Sequence, residues 1–133
     1  MWLPGGCVDS ETCQSATVTI GSEQYCAAIA TTEQERINGL TALPPLTEGE
    51  ALWLDYPVEG EACIDPTPQG YDIDVIFISE AGVVVASQCA VGVDSEVFCA
   101  FETADVVERL PAAYCEELVG SVVVFEKAEV GSP

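Results

Sequence analysis

The sequence predicts a mainly β protein: one domain, a β-sandwich or barrel, with one or two short helices. Three observations lead there. Apolar and β-branched residues come in many short runs separated by Gly, Pro and acidic turns. Only two segments carry helix-end chemistry, and both are short. No apolar run approaches the roughly 20 residues that cross a bilayer, and runs such as Val83-Val84-Val85-Ala86-Ser87 are of strand length.

Thr17 and Thr19 alternate with Val18 and Ile20, a strand pattern, and Gly21-Ser22-Glu23 turns the chain into a returning strand from Tyr25 to Ala30. Thr31 and Thr32 open a helix. Thr32 with Glu35, and Thr31 with Gln34, have capping-box spacing. Gly39 closes it, since glycine takes the left-handed conformation cheaply, and Ile37 and Leu40 are expected to face the core. Two helical turns are marginal alone, so tertiary packing must hold them.

Pro44-Pro45 breaks the chain, and Glu48-Gly49-Glu50 turns into the strand Ala51 to Leu54. Tyr56 to Gly60 reads as loop and Glu61 to Ile64 as a separate short strand. The stretch 65–70, with two prolines and a glycine, is irregular. Asp72 to Ile78 is the most apolar strand; Glu80-Ala81-Gly82 turns it into Val83 to Ala90. Val97 to Phe101 and Asp105 to Leu110 are two further expected strands. A helical turn runs from Pro111 through Leu118 to Gly120, and Val122 to Phe125 closes the domain. The domain spans 16–130, and 1–15 reads as a polar tail.

At 133 residues the chain can bury roughly two thirds of its unfolded surface, and its apolar fraction of 49% suits a globular core. There are 23 acidic residues against Arg36, Arg109 and Lys127, no histidine, and a net charge of −20. Such a surface repels nucleic acid and anionic membranes. Salt adaptation and export both produce this charge.

The seven cysteines are scattered, without a C-x-x-C pair. That disfavours structural zinc and favours disulfides in an oxidising compartment. Cys7 follows Leu3-Pro4-Gly5-Gly6, which resembles the end of a bacterial lipoprotein signal, so it is the lipidation candidate and the odd cysteine out. Cys13, Cys26, Cys63, Cys89, Cys99 and Cys115 are then the disulfide candidates, with connectivity open.

The order of motifs from Thr17 to Leu54 (two strands, a capped turn ending Gly39-Leu40, an acidic-glycine turn and a strand) resembles the DUF192 family of small domains without an assigned biochemical function. Asp74-Val75-Ile76-Phe77-Ile78 is similar to that family's Leu-Asp-Ile-x-Phe strand. Val106-Val107-Glu108-Arg109-Leu110-Pro111-Ala112 is similar to its Val-Leu-Glu-Leu-Pro-Ala-Gly turn with one residue extra, and Val119-Gly120 to its late Val-Gly. The chain departs from the family at Thr41, where Met is usual, and over Ile64 to Gln69, where Phe-Trp-Met-Lys-Asn-Thr is usual. The resemblance implies a small β domain and no particular activity.

For chemistry, Asp72 and Asp74 are two apart in a strand and are expected to share a face, with Asp65 in the loop before them. Three carboxylates on one rim could bind Ca²⁺ or divide acid and base roles. On so acidic a chain, a solvated strand end is the commoner outcome. Tyr56 and Tyr71 are the candidate aromatic ligand contacts, while Trp53, between Leu52 and Leu54, belongs in the core. Nucleophilic catalysis lacks a histidine base and a Gly-x-Ser-x-Gly elbow, and no organic cofactor motif occurs. The functional expectation is an exported, disulfide-stabilised binding or accessory module of the cell envelope, its partner an envelope protein or a small ligand, its membrane contact a lipid on Cys7. A carboxylate-dependent hydrolase and a salt-adapted cytoplasmic protein with free thiols are the alternatives.

Overall fold

The computed structural model describes residues 15–127. Seven strands form one sheet: β1 (Ala16–Ile20), β2 (Glu23–Ala30), β3 (Glu50–Ile64), β4 (Ile73–Ile78), β5 (Val84–Val91), β6 (Phe98–Arg109) and β7 (Val123–Lys127). Their order across the sheet is β5-β4-β6-β3-β2-β1-β7. The fold is therefore mainly β, and of the two expected architectures it follows the barrel. The single helix α1 (Glu33–Asn38) and two 3₁₀ turns, Gly39–Ala42 and Cys115–Glu117, complete the described elements.

β1 and β2 pair as a hairpin. α1 lies in the crossover that lets β3 pair parallel to β2. The other pairings are antiparallel. The sheet curls until its edges meet at one end: Val83 bridges Val122, Val84 N–H donates to the Ser121 carbonyl at 3.0 Å, and Val123 N–H donates to the Gly82 carbonyl at 2.8 Å. The result is a half-barrel.

Strand alternation sorts the apolar residues onto two faces. Val18, Ile20, Ala51, Trp53, Ile76, Val84, Val107 and Val123 form one cluster drawn from all seven strands together with their neighbours, which only the inside of the curl can bring together. Trp53 stacks on Phe125 there, ring centroids 4.4 Å apart. On the other face, Leu52, Leu54, Val75, Phe77 and Val106 pack under Leu40 and Leu46.

Three expectations need correction. Tyr56 to Gly60 is not a loop between two strands. β3 runs unbroken through it, with register shifts that absorb Pro57 and Gly60 where pairing to β6 lapses between Asp55 and Gly60. Likewise Val97 to Phe101 and Asp105 to Leu110 belong to one strand, β6, kinked where Glu102 takes φ 58° and the Thr103 hydroxyl donates to the Ala100 carbonyl at 3.2 Å. Ile37 does not face the core. It is 69% exposed, because the chain turns at Gly39 and only Leu40, in the 3₁₀ turn that follows, enters it.

Two disulfides join described residues, Cys63 to Cys99 and Cys89 to Cys115. Cys26 is also bridged. The lipidation candidate Cys7 and the disulfide candidate Cys13 lie outside the described residues, as does the expected tail but for Ser15.

Candidate functional site

On β6, Val106 and Glu108 point to the outer apolar face while Val107 and Arg109 point inside. Glu108 sits opposite Leu52 on one side and Val75 on the other, and is only 6% exposed. Burial alone pushes its carboxyl from an ordinary 4.5 up to about 7. Among the described residues no side-chain or backbone group hydrogen-bonds that carboxyl. What lies beside it is a cavity of about 510 Å³, walled by α1 and the 3₁₀ turn on one side, by Tyr56 and Ile64 of β3, and by Asp65, Pro68 and Gln69 of the following loop.

The wall formed by α1 is fixed by its own ends. Glu35 N–H donates to the Thr32 hydroxyl at 3.1 Å, and the Glu35 carboxylate accepts from Thr31 N–H and Thr32 N–H, a complete capping box. Those backbone donors hold the Glu35 carboxyl below its usual range. The helix thereby delivers Arg36, whose Nη1 donates to the carbonyls of Thr31 at 2.6 Å and Asp55 at 2.8 Å and whose guanidinium lies 5.0 Å from the Tyr56 ring centre. Burial, then the charge of Glu108, raises the Tyr56 phenol, and Arg36 partly offsets them. Gly39 takes φ 52°, so its lack of a side chain is required, and a Cβ there would reach 3.9 Å from a Glu108 oxygen.

Two of the candidate residues from the sequence, Tyr56 and Asp65, line this cavity. Asp65 also closes its own loop, accepting from the Thr67 N–H at 3.1 Å and the Thr67 hydroxyl at 2.8 Å. Tyr71 lies elsewhere, its hydroxyl accepting from Leu46 N–H at 3.1 Å. Asp72 is exposed and lies against Gly92, where any side chain would collide with it.

Asp74 is 1% exposed. It accepts from Arg109 Nε at 3.1 Å, Ala90 N–H at 2.9 Å and Ala112 N–H at 3.0 Å. Asp74 is therefore engaged inside by Arg109 and two backbone N–H groups, while Asp65 and Asp72 are exposed. The reason is register: Asp72 precedes β4, whereas Asp74 lies inside it opposite Arg109. Glu108 and Arg36 were not singled out as site residues; the available signal was Val106-x-Glu108, a charge on the apolar face of a strand.

Further concavities lie among the described residues, and two of them hold paired ionisable groups. One of about 630 Å³ is bordered by Glu23, Tyr25 and Glu50. Glu23 accepts from Arg109 Nη1 and from Tyr25 there, and Glu50 accepts from Thr47 N–H. Burial pushes the Tyr25 phenol up to about 12. The other, of about 270 Å³, holds Asp55 and Asp105, paired directly across β3 and β6. Burial, the Asp55 charge and a hydrogen bond with Asp55 raise Asp105 to about 7, against a lowering hydrogen bond from Trp53.

The sequence pattern of DUF192, described as an uncharacterized family, matches residues 16–121. The chain belongs to the DUF192 family. This DUF192 domain shares its fold with a protein of unknown function from Novosphingobium aromaticivorans DSM 12444, at a TM-score of 0.70, 21% identity and 83% coverage of each chain. It also matches a proposed transcription regulator from Sinorhizobium meliloti 1021, at a TM-score of 0.70 and 15% identity, covering 85% of this chain and 92% of that one. At these identities the likeness is one of fold. No curated protein matches the sequence. Among the described residues no helix is long and apolar enough to cross a membrane.

Proposed function

We propose that this DUF192 domain is an exported binding or accessory module of the cell envelope that holds a small polar ligand in the cavity beside Glu108. The carrying observation is that carboxyl: 6% exposed, without a hydrogen-bond partner among the described residues, and bordering about 510 Å³ of space. A ligand hydroxyl or amine entering that cavity would give the carboxyl a hydrogen-bond partner. Arg36 offers a fixed positive charge and Tyr56 an aromatic face on the same cavity, which suits a small zwitterion or polyol. The two disulfides support the exported reading over the salt-adapted cytoplasmic one.

Titration calorimetry with free amino acids and with polyols tests the ligand. Binding to the wild type that falls at least tenfold in Glu108→Gln supports the reading. Binding unchanged by that substitution, or none across both classes, overturns it. Intact mass of the protein from its native host, before and after reduction, tests export. A chain beginning at an acylated Cys7, with thiols appearing only on reduction, is expected; an unmodified chain with free thiols contradicts it.

A second reading moves the hydrolase from the three aspartates to Glu108, whose raised pKa suits a general acid or base near neutral pH. Product formation from an ester or glycoside that is lost in Glu108→Gln would favour it over simple binding.

A further inference from the structure

Cys63 and Cys99 face each other directly across β3 and β6, their Cα atoms 4.0 Å apart, and both are exposed. Two residues before Cys63 on the same strand lies Glu61, also exposed. A Glu61 carboxylate oxygen and the two sulfurs lie within 4.8 Å of one another. The buried alternates, Ala62 and Ile64, pack on the outer apolar cluster beneath them. The other acid-and-cysteine group, Asp74 with Cys89 and Cys115, differs in that its carboxylate is already taken by Arg109 and two backbone N–H groups.

We propose that Glu61, Cys63 and Cys99 form a redox-gated site for a thiophilic divalent cation such as Zn²⁺, closed while the disulfide is intact and opened by a small thiol. In the opening step two thiol molecules give two electrons to the bridge. The S–S bond breaks, each cysteine sulfur takes a proton, and the thiols leave joined as their own disulfide. Cation binding then displaces those two protons, and two thiolates and one carboxylate hold the ion, with water in the fourth place. Backbone pairing flanks the bridge on both sides. Ala62 pairs with Ala100 and Ile64 with Phe98 on either side of it, so the reduced sulfurs remain across from each other. The donor set selects its ion, since thiolates favour zinc over calcium or magnesium, and the net charge of −20 attracts cations in general.

Full-length protein, treated with a small thiol without denaturant and freed of it under nitrogen, is titrated with Co²⁺ and then Zn²⁺. The expected result is one equivalent of cobalt with sulfur-to-cobalt charge-transfer absorption, displaced by zinc. The signal is absent from the oxidised protein and from Cys63→Ser/Cys99→Ser, retained in Cys89→Ser/Cys115→Ser, and weakened about tenfold or more in Glu61→Gln. No charge-transfer band in the reduced wild type, or a band that persists in Cys63→Ser/Cys99→Ser, overturns the proposal. Should that double variant not fold, alkylation of the reduced wild type decides. Zn²⁺ must protect Cys63 and Cys99, as mapped by mass spectrometry, and equal labelling with and without zinc contradicts the site.

Discussion

Arg109 Nε donates to Asp74 Oδ2 at 3.1 Å inside the half-barrel, with both side chains at most 1% exposed. The pair joins β6 to β4 at a register position where the two residues stand opposite each other. Arg109 also reaches the Tyr25 hydroxyl at 2.7 Å and Glu23 at 2.9 Å, so one guanidinium ties β6 to β4 and β2. Removing Asp74 leaves the buried guanidinium with the half-exposed Glu23 as its counter-charge and strips the Ala90 and Ala112 N–H groups of their acceptor. Asp74→Ala is expected to cost about 3–5 kcal/mol. Replacing both, as Asp74→Ala with Arg109→Met, should cost less than Asp74→Ala alone. Urea midpoints of the single and double variants check this; a double variant less stable than the single one would contradict it.

Glu108 makes stability depend on pH in a particular sense. Its carboxyl ionises near 4.5 in the unfolded chain and near 7 in the fold. Below 4.5 both states are protonated and the contribution is fully present. As pH rises the unfolded chain ionises first, and stability is lost until the folded group also titrates near 7, a loss on the order of 3 kcal/mol. Glu108→Gln should match the wild type at low pH and exceed it above neutrality. Urea unfolding at a series of pH values reads this directly. Equal stability of the two proteins above neutrality would place the carboxyl in a solvated setting.

The half-buried Asp105 carries the same sign, because burial and then its neighbour Asp55 both raise it. Asp105→Asn should flatten the fall in stability between weakly acidic and neutral pH, by less than Glu108→Gln because solvent screens the site. Were the slope unchanged, the Asp55–Asp105 contact would not be made in solution.

α1 carries Arg36 to the cavity, and its first turn hangs on Thr32. Thr32→Ala should cost about 1 kcal/mol and should weaken any ligand held by Arg36 and Glu108. A thermal melt and a binding titration on one variant separate the two effects. Weakened stability with unchanged binding would remove Arg36 from the site.

Much of the fold was readable along the chain because local chemistry and global pairing agree there. The β1–β2 hairpin, the capping box from Thr32 to Glu35 and the turn at Gly82 between β4 and β5 all follow from adjacent residues. The long strands β3 and β6 were read as pieces because Pro57, Gly60 and Glu102 interrupt alternation, while pairing across the sheet resumes after each interruption. The site was less legible for a related reason. Asp72 and Asp74 look alike in sequence, and only the start of β4 at Ile73 and the presence of Arg109 make one exposed and the other buried. Glu108 was hidden by the same strand pattern that buries it, since what makes it unusual is a cavity built from α1 and the 65–69 loop, distant in sequence.

The proposed ligand site requires Glu108 to be a nearly buried carboxyl that titrates near neutrality beside open space. A carbon-detected NMR titration of the glutamate side-chain carboxyls, with Glu108 assigned by its loss in Glu108→Gln, measures this directly. An apparent pKa near 7 that shifts when an amino acid or polyol binds is the expected result. A Glu108 that titrates near 4.5 and ignores both ligand classes would contradict the proposed site.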